Sequence, residues 1–285
     1  MQYSLFTILL AGLLASFVPN IGSDVEKPLS SNQLRILISN DDGVDSPGLH
    51  ALTLALSEIA EVVVSAPSEN CSGASHSSKV FSGVHNAKEI DIPGAVKAWS
   101  VGGTPADSVT WGVLTEGQEK EFDFVVSGIN NGANVGEIAH YSGTIGAAME
   151  GAGLNIPSIA VSQAGQQSFN HSCETVIKLI ERLLKDNSTN QIIWAVDVPL
   201  LAVDAEPKIT IAPMGGRYAQ IESFDTKQSE DGEGLIFRAK LSFPRDSNPS
   251  SSTSAFQRGE VVITPLKYNW TDYDEVERMK DWSWE

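Results

Sequence analysis

The chain has 285 residues, 41% hydrophobic and 19% charged, with 19 Lys+Arg against 36 Asp+Glu and a formal net charge of −17. That length and apolar content suffice for one large α/β domain with a sizeable core. So acidic a surface repels a nucleic-acid backbone and an anionic membrane, which excludes both as large partners; a small anion remains acceptable, because a bound cation reverses the local field.

The chain opens on an uncharged apolar run, Tyr3 to Val18 (YSLFTILLAGLLASFV), followed by Pro19, Asn20, Gly22 and Ser23, with Asp24 as the first acid. The run has the length of a signal-peptide core and falls short of the ~20 residues of a membrane span. Residues 1–23 are therefore expected to be a signal peptide and 24–285 the mature domain, secreted or in an organelle lumen. A retained anchor is the alternative, since no Lys or Arg precedes the run. Cleavage between Ala15 and Ser23 removes no charged side chain. Asn-X-Ser/Thr triplets at Asn70, Asn170, Asn187 and Asn269 fit a secretory glycoprotein. The two cysteines, Cys71 and Cys173, could pair in an oxidising compartment, since sequence does not give their separation in space; separate thiols are the preferred reading.

Strand and helix patterns then alternate. Arg35–Ser39 is a short apolar run suited to a buried strand, and Ser46-Pro47 opens a helix with Ser as N-cap and Pro in the first turn. Leu49, Leu52, Leu56 and Ile59 give that helix an apolar face. Strands follow at Glu61–Ser65 and Phe122–Ser127, a helix near Thr144 to Leu154, a strand at Ser158–Ser162, a helix from about Ser172 to Leu184 and a strand at Gln191–Val196. This order predicts an α/β fold, a Rossmann-like and mostly parallel sheet flanked by helices, over 33–200. From Pro207 the texture shifts to short β-like pieces at Lys208–Ala212, Leu235–Lys240 and Glu260–Thr264, with a Ser/Pro-rich stretch, Pro244 to Ser254, expected as a mobile loop. Residues 207–285 are thus expected to form a C-terminal β-hairpin arm and tail.

The chemically unusual residues follow the strands, where ligands of such sheets sit. Asp41 and Asp42 come directly after the first strand, and two adjacent acids there are costly unless a positive charge lies between them. A hard divalent cation fits, because carboxylates, Asn carbonyls and Ser hydroxyls are its preferred donors. The competing assignment is a turn whose acids are solvated or cap the next helix. Asn70–Ser75 (NCSGAS) is a polar loop after the second strand. Ser127–Gly136 (SGINNGANVG) sets glycines and asparagines past another strand, where main-chain N–H groups can meet an anion. Tyr141-Ser142-Gly143-Thr144 then enters a helix, and a hydroxyl-bearing helix start suits phosphate. His76 and His140 flank these loops and are read as loop histidines, with acid–base work or phosphate binding as the alternative. No C-x-x-C, H-E-x-x-H or G-x-S-x-G occurs, and the acids are adjacent rather than in a D-x-D pair. An esterase and an aspartyl-phosphate phosphatase are therefore disfavoured.

The blocks Arg35–Ser46 (RILISNDDGVDS) with Pro47-Gly48, Asn70–Ser75, Gly103–Asp107 (GTPAD), and Ser127–Asn134 with Tyr141–Gly151 (YSGTIGAAMEG) resemble, in that order, the SurE family of metal-dependent phosphatases. A weaker echo is Gly259–Leu266 (GEVVITPL), whereas Pro199 to Arg258 matches the family poorly. The resemblance implies a Rossmann-like domain, a divalent ion (Mg²⁺ or Mn²⁺) and hydrolysis of small phosphate esters, chiefly nucleoside 5′- or 3′-monophosphates. It implies metal ligands at Asp41, Asp42, Ser72 and Asn130, with the two aspartates catalytic, and phosphate held by Ser142, Gly143, Thr144 and Asn134. It also implies a homo-oligomer, dimer or tetramer, built through the C-terminal arm. A glycan on Asn70 would crowd the site, so that triplet is expected to stay unmodified. The rival function is a secreted, non-catalytic metal- or phosphate-binding module of the same fold.

Overall fold

A computed structural model describes residues 34–165, 167–186 and 191–283. The expected signal peptide and the triplet at Asn187 lie outside the described residues. In chain order the elements are β1 (Leu34–Ser39), α1 (Pro47–Ser57), β2 (Ala60–Pro67), β3 (Ala87–Ile90), β4 (Lys97–Val101), α2 (Pro105–Glu116), β5 (Phe124–Asn131), a 3₁₀ turn (Gly136–Tyr141), α3 (Gly143–Gly153), β6 (Ser158–Gln163), α4 (Asn170–Asp186), β7 (Ile192–Val198), β8 (Ile209–Ile211), β9 (Gln220–Gln228), β10 (Leu235–Ser242), α5 (Ser252–Gln257), β11 (Val261–Lys267) and α6 (Tyr273–Met279).

The main sheet runs β3-β4-β2-β1-β5-β6-β7-β11-β8. Strands β4, β2, β1, β5, β6 and β7 are mutually parallel, while β3 and β11 join antiparallel to β4 and β7. The α/β class read from the sequence is the one observed. Burial on both faces explains the unbroken apolar strands. Along β1, Ile36 and Ile38 join the large core beneath α1 and α4, and Leu37 joins the cluster with Val109 of α2 and Ala147 of α3. Ser46 caps α1 by accepting from the Leu49 N–H at 3.2 Å, and Pro47 opens it as expected. Leu49, Leu52 and Leu56 are fully buried, and each such leucine stabilises by about 1.5–3 kcal/mol. At the opposite end of the sheet Arg35 is almost wholly buried. Its Nε donates to Glu61 Oε1 at 2.6 Å and its Nη1 to the carbonyls of Glu116 (2.7 Å) and Lys120, with the guanidinium 4.5 Å from the Phe122 ring centroid.

The C-terminal part departs from expectation. β8 and β11 belong to the main sheet, so the arm expected over 207–285 narrows to the separate β9–β10 hairpin. Pro265 of β11 is tolerated because β8 pairs only with Val261–Ile263, leaving that edge open beyond them. The expected loop Pro244 to Ser254 runs into α5, where Ser251, Ser252, Thr253 and Ser254 are buried. Ser251 accepts from the Ser254 N–H at 3.1 Å and Ser252 from the Gly136 N–H at 3.2 Å. Residues 244–251 are irregular as expected, and only the last serines of the stretch cap and enter a docked helix. Among the described residues no helix is long and apolar enough to cross a membrane.

Candidate active site

The strand order reverses beside β1: β2 and β4 lie to one side, β5 and β6 to the other. The crevice beyond the carboxyl ends at such a switch point is where open α/β sheets bind ligands. Asp41 and Asp42 occupy it, directly after β1.

A tight turn aims the two acids. The buried Asn40 donates to the Gly43 carbonyl at 2.9 Å and to Ser46 Oγ at 2.8 Å, and accepts from the Gly43 N–H at 3.2 Å. Gly43 sits at φ +95°, which only glycine adopts without strain. Asp41 thereby points inward, 3% exposed, and Asp42 lies half-buried beside it. Asp41 Oδ1 accepts from the Thr144 hydroxyl at 2.6 Å, and the Asp41 carbonyl accepts from the Cys71 N–H at 2.7 Å. α3 comes so close that a Cβ on Gly143 would lie 2.8 Å from Asp41 Cβ. Asp42 accepts from Asn70 Nδ2 at 3.2 Å and from the Asn131 N–H at 3.1 Å. Residues 70–71, 131 and 143–144 therefore converge on the pair.

Electrostatics leave the pair short of positive charge. Burial pushes the Asp41 carboxyl above its ordinary range; the Thr144 hydrogen bond opposes that shift and the neighbouring Asp42 adds to it. Among the described residues no Lys, Arg or His is ion-paired with either aspartate. Ser72 is placed next to Cys71, its N–H donating to Asn70 Oδ1 at 2.9 Å. Asn130 uses its amide N–H on the Gly132 carbonyl at 2.8 Å. The Ser72 hydroxyl and Asn130 Oδ1 have no hydrogen-bond partner among the described residues. Two carboxylates, a hydroxyl and an amide carbonyl are the donor types a hard divalent cation takes.

The residues expected at phosphate are differently employed. Thr144 spends its hydroxyl on Asp41, and Ser142 caps α3 by accepting from the Ile145 N–H at 3.1 Å. Asn134 donates through its side chain to Ser162 Oγ at 2.8 Å and through its main chain to Asp197 Oδ1 at 2.6 Å, and is hydrogen-bonded to neither site aspartate. Asp197, at the end of β7, is buried, and burial pushes its carboxyl up to about 7. Cys71 and Cys173 are both free thiols, as expected.

Sequence reasoning missed several positioning groups. Asp107 forms a capping box with Thr104 and accepts from Ser78 Oγ at 2.6 Å and the Lys79 N–H at 2.9 Å, anchoring the loop behind Ser72–Ser75. Burial acts to raise Asp107, but these hydrogen bonds win and hold it below the usual carboxylate range. The T-x-x-D spacing was a readable cap signal. Glu150 accepts from Thr110 Oγ1 at 2.8 Å and meets His76 Nε2 at 2.8 Å, an interaction that lowers the Glu150 carboxyl; no local pattern announced it.

The family model described as Survival protein SurE matches residues 36–220. The chain belongs to the SurE family. It is 34% identical over 254 residues to the 5′-nucleotidase SurE of Vibrio parahaemolyticus serotype O3:K6, covering 89% of this chain and 96% of that protein. The 5′-nucleotidase SurE of Vibrio cholerae serotype O1 strain O395 is likewise 34% identical over 250 residues, covering 88% and 93%. The crystal structure of the SurE protein from Aquifex aeolicus superposes with a TM-score of 0.75 at 32% identity, covering 86% of this chain and 98% of that one. The SurE match takes in β1 from Ile36 onward, its Asp41–Asp42 turn and the segments that converge on it.

Proposed function

We propose that the chain is a divalent-metal-dependent phosphomonoesterase for small phosphate esters, chiefly nucleoside 5′- or 3′-monophosphates. The observation that carries this reading is the acid pair at the switch point, one member buried, with no cationic partner among the described residues. Family membership and the 5′-nucleotidase relatives support the reaction class. Asp41, Asp42, Ser72 and Asn130 are the proposed ligands of Mg²⁺ or Mn²⁺, whose oxygen preference their donor atoms meet. A bound ion of this kind supplies Lewis-acid polarisation of a phosphate oxygen and acidifies water.

The chain's own residues do the rest. Thr144 locks Asp41, and Asn70 with Asn131 fixes both oxygens of Asp42, so the carboxylates meet the substrate already oriented. An aspartate of the pair takes the proton of the attacking water. The Ser142 N–H is taken up by the Ala139 carbonyl, so within the proposed phosphate seat of Ser142, Gly143 and Thr144 it is the Gly143 N–H and the positive end of the α3 dipole that are offered to phosphate. A non-catalytic module of the same fold is disfavoured, because all four donor positions are filled.

The leader, the uncharged apolar run and the Asn-X-Ser/Thr triplets support a secreted glycoprotein. The engagement of Asn70 with Asp42 supports an unmodified Asn70. Amino-terminal sequencing of protein recovered from the medium of expressing cells tests the leader; an intact Met1 overturns it. The reaction is tested by phosphate release from a panel of mono- and diesters in Mg²⁺, Mn²⁺ or chelator. Monoester hydrolysis that stops on chelation is expected, and chelator-resistant or diester-selective hydrolysis contradicts the reading.

A further inference from the structure

Asp42 opens sideways into a cleft of about 520 Å³ between the start of α1 and the β6–α4 connection. That volume lies within the ~300–1,000 Å³ usual for ligand sites. Asp42 and both its partners, Asn70 and Asn131, line it, so whatever fills it touches the reaction centre. Its far walls are Pro47, Ile129 and Phe169, and no Lys, Arg or His is among its lining residues. Asp45 stands there as a second acid. A cleft with two acids and apolar walls repels phosphate and suits the neutral, flat part of an ester. The other cavity nearby, about 250 Å³ beside His76 and Trp270, touches neither aspartate.

Phe169 is built as a rigid wall. Its carbonyl accepts from the Cys173 N–H at 2.9 Å in the first turn of α4, and its half-buried ring packs against the main core. Gln167 beside it has no free amide group. Its Nε2 donates to the carbonyls of Ala164 (3.1 Å) and Pro199 (2.9 Å), and its Oε1 accepts from the Leu201 N–H at 2.9 Å. On that wall the Gln167 amide is taken up, which leaves the aromatic face of Phe169 to meet a ligand.

We infer that this cleft receives the nucleobase of the substrate, with Phe169 as its stacking wall. The inference rests on the phosphomonoesterase reading and adds where the leaving group sits and which residue selects it. An aromatic wall suits that role, because every base has a π face.

The test pairs catalysis with binding of the bare product. In the wild type, kcat/KM for AMP exceeds that for ribose 5-phosphate, and calorimetry detects adenosine binding without metal or chemistry. Phe169→Ala lowers the AMP-to-ribose-5-phosphate ratio of kcat/KM roughly tenfold, within the range of one base–aromatic stack, and weakens adenosine to a like degree. Phe169→Tyr, which keeps the flat face, restores both; thermal melting separates these effects from misfolding. An AMP-to-ribose-5-phosphate ratio unchanged in Phe169→Ala, or adenosine binding equal in the two proteins, overturns the inference. Adenosine binding that depends on Phe169 in a protein that hydrolyses no ester would sink the phosphomonoesterase reading and leave the cleft assignment standing.

Discussion

At the residue scale, the site is a problem of holding two like charges a residue apart. Among the described residues Thr144 is the one side chain bonded to the buried Asp41, so its hydroxyl sets where that carboxylate points. Thr144→Val keeps the shape and removes the bond; activity is expected to fall about 10- to 100-fold, the usual loss when a group orienting a metal ligand is removed, with a KM for metal that rises and a melting temperature that changes little. Undiminished activity would show that Asp41 does not need orienting. Asp197 gives a pH-dependent case. Its carboxyl, raised by burial to about 7 from an ordinary value of about 3.9, stabilises the fold fully below the ordinary range, and that contribution is lost as pH rises through about 7. Asp197→Asn imitates the protonated form. Its melting temperature should match the wild type near pH 4 and exceed it by several degrees at pH 8; a difference constant across that range contradicts the shift. The acid pair was legible in the sequence because adjacent acids after an apolar strand are rare and costly. The employment of Thr144 and Ser142 was not, since a hydroxyl at a helix start serves a phosphate, a carboxylate or the helix cap equally well.

At the element scale, strands β1, β2, β5, β6 and β7 and helices α1, α3 and α4 were readable because both faces of the strands, or one stripe of the helix, are buried and leave a clear apolar pattern. β3 and β4 were not. They are short and partly exposed, with Lys88, Glu89, Lys97 and Ser100 among their few residues, so hydropathy hides them. α2 passed unseen although Thr104, Pro105 and Asp107 are an N-terminal signature, because its apolar face is narrow, with Val109 its one large buried side chain. Arg35 shows a cost that pattern reading ignores. It is a buried charge in β1 whose donors are met by Glu61 and two carbonyls. Arg35→Ala should destabilise by about 3–5 kcal/mol, since it strands Glu61 half-paired and uncovers Phe122; a shift below ~1 kcal/mol in denaturant unfolding would show that the network is not a stabilising element.

At the scale of the whole molecule, the β9–β10 hairpin stands apart from the main sheet and exposes Ile221, Phe224, Leu235, Phe237, Leu241 and Phe243. An apolar arm of this kind is expected to pair with another copy of the chain. Deleting residues 219–243 should therefore reduce the particle to a monomer in light scattering, and an unchanged mass contradicts the arm's role. The chain's −17 charge makes the same demand on the site that Asp41 makes locally: an anionic ester approaches a protein this acidic only where a cation answers the field. The most direct measurement is the rate of AMP hydrolysis as Mn²⁺ is titrated into metal-stripped protein, wild type against Asp42→Asn. Saturable activation in the wild type, lost by two or more orders of magnitude in the variant, is expected. Full activity in the stripped wild type, or equal activation of Asp42→Asn, would contradict the claim that this acid pair holds the metal on which the chemistry depends.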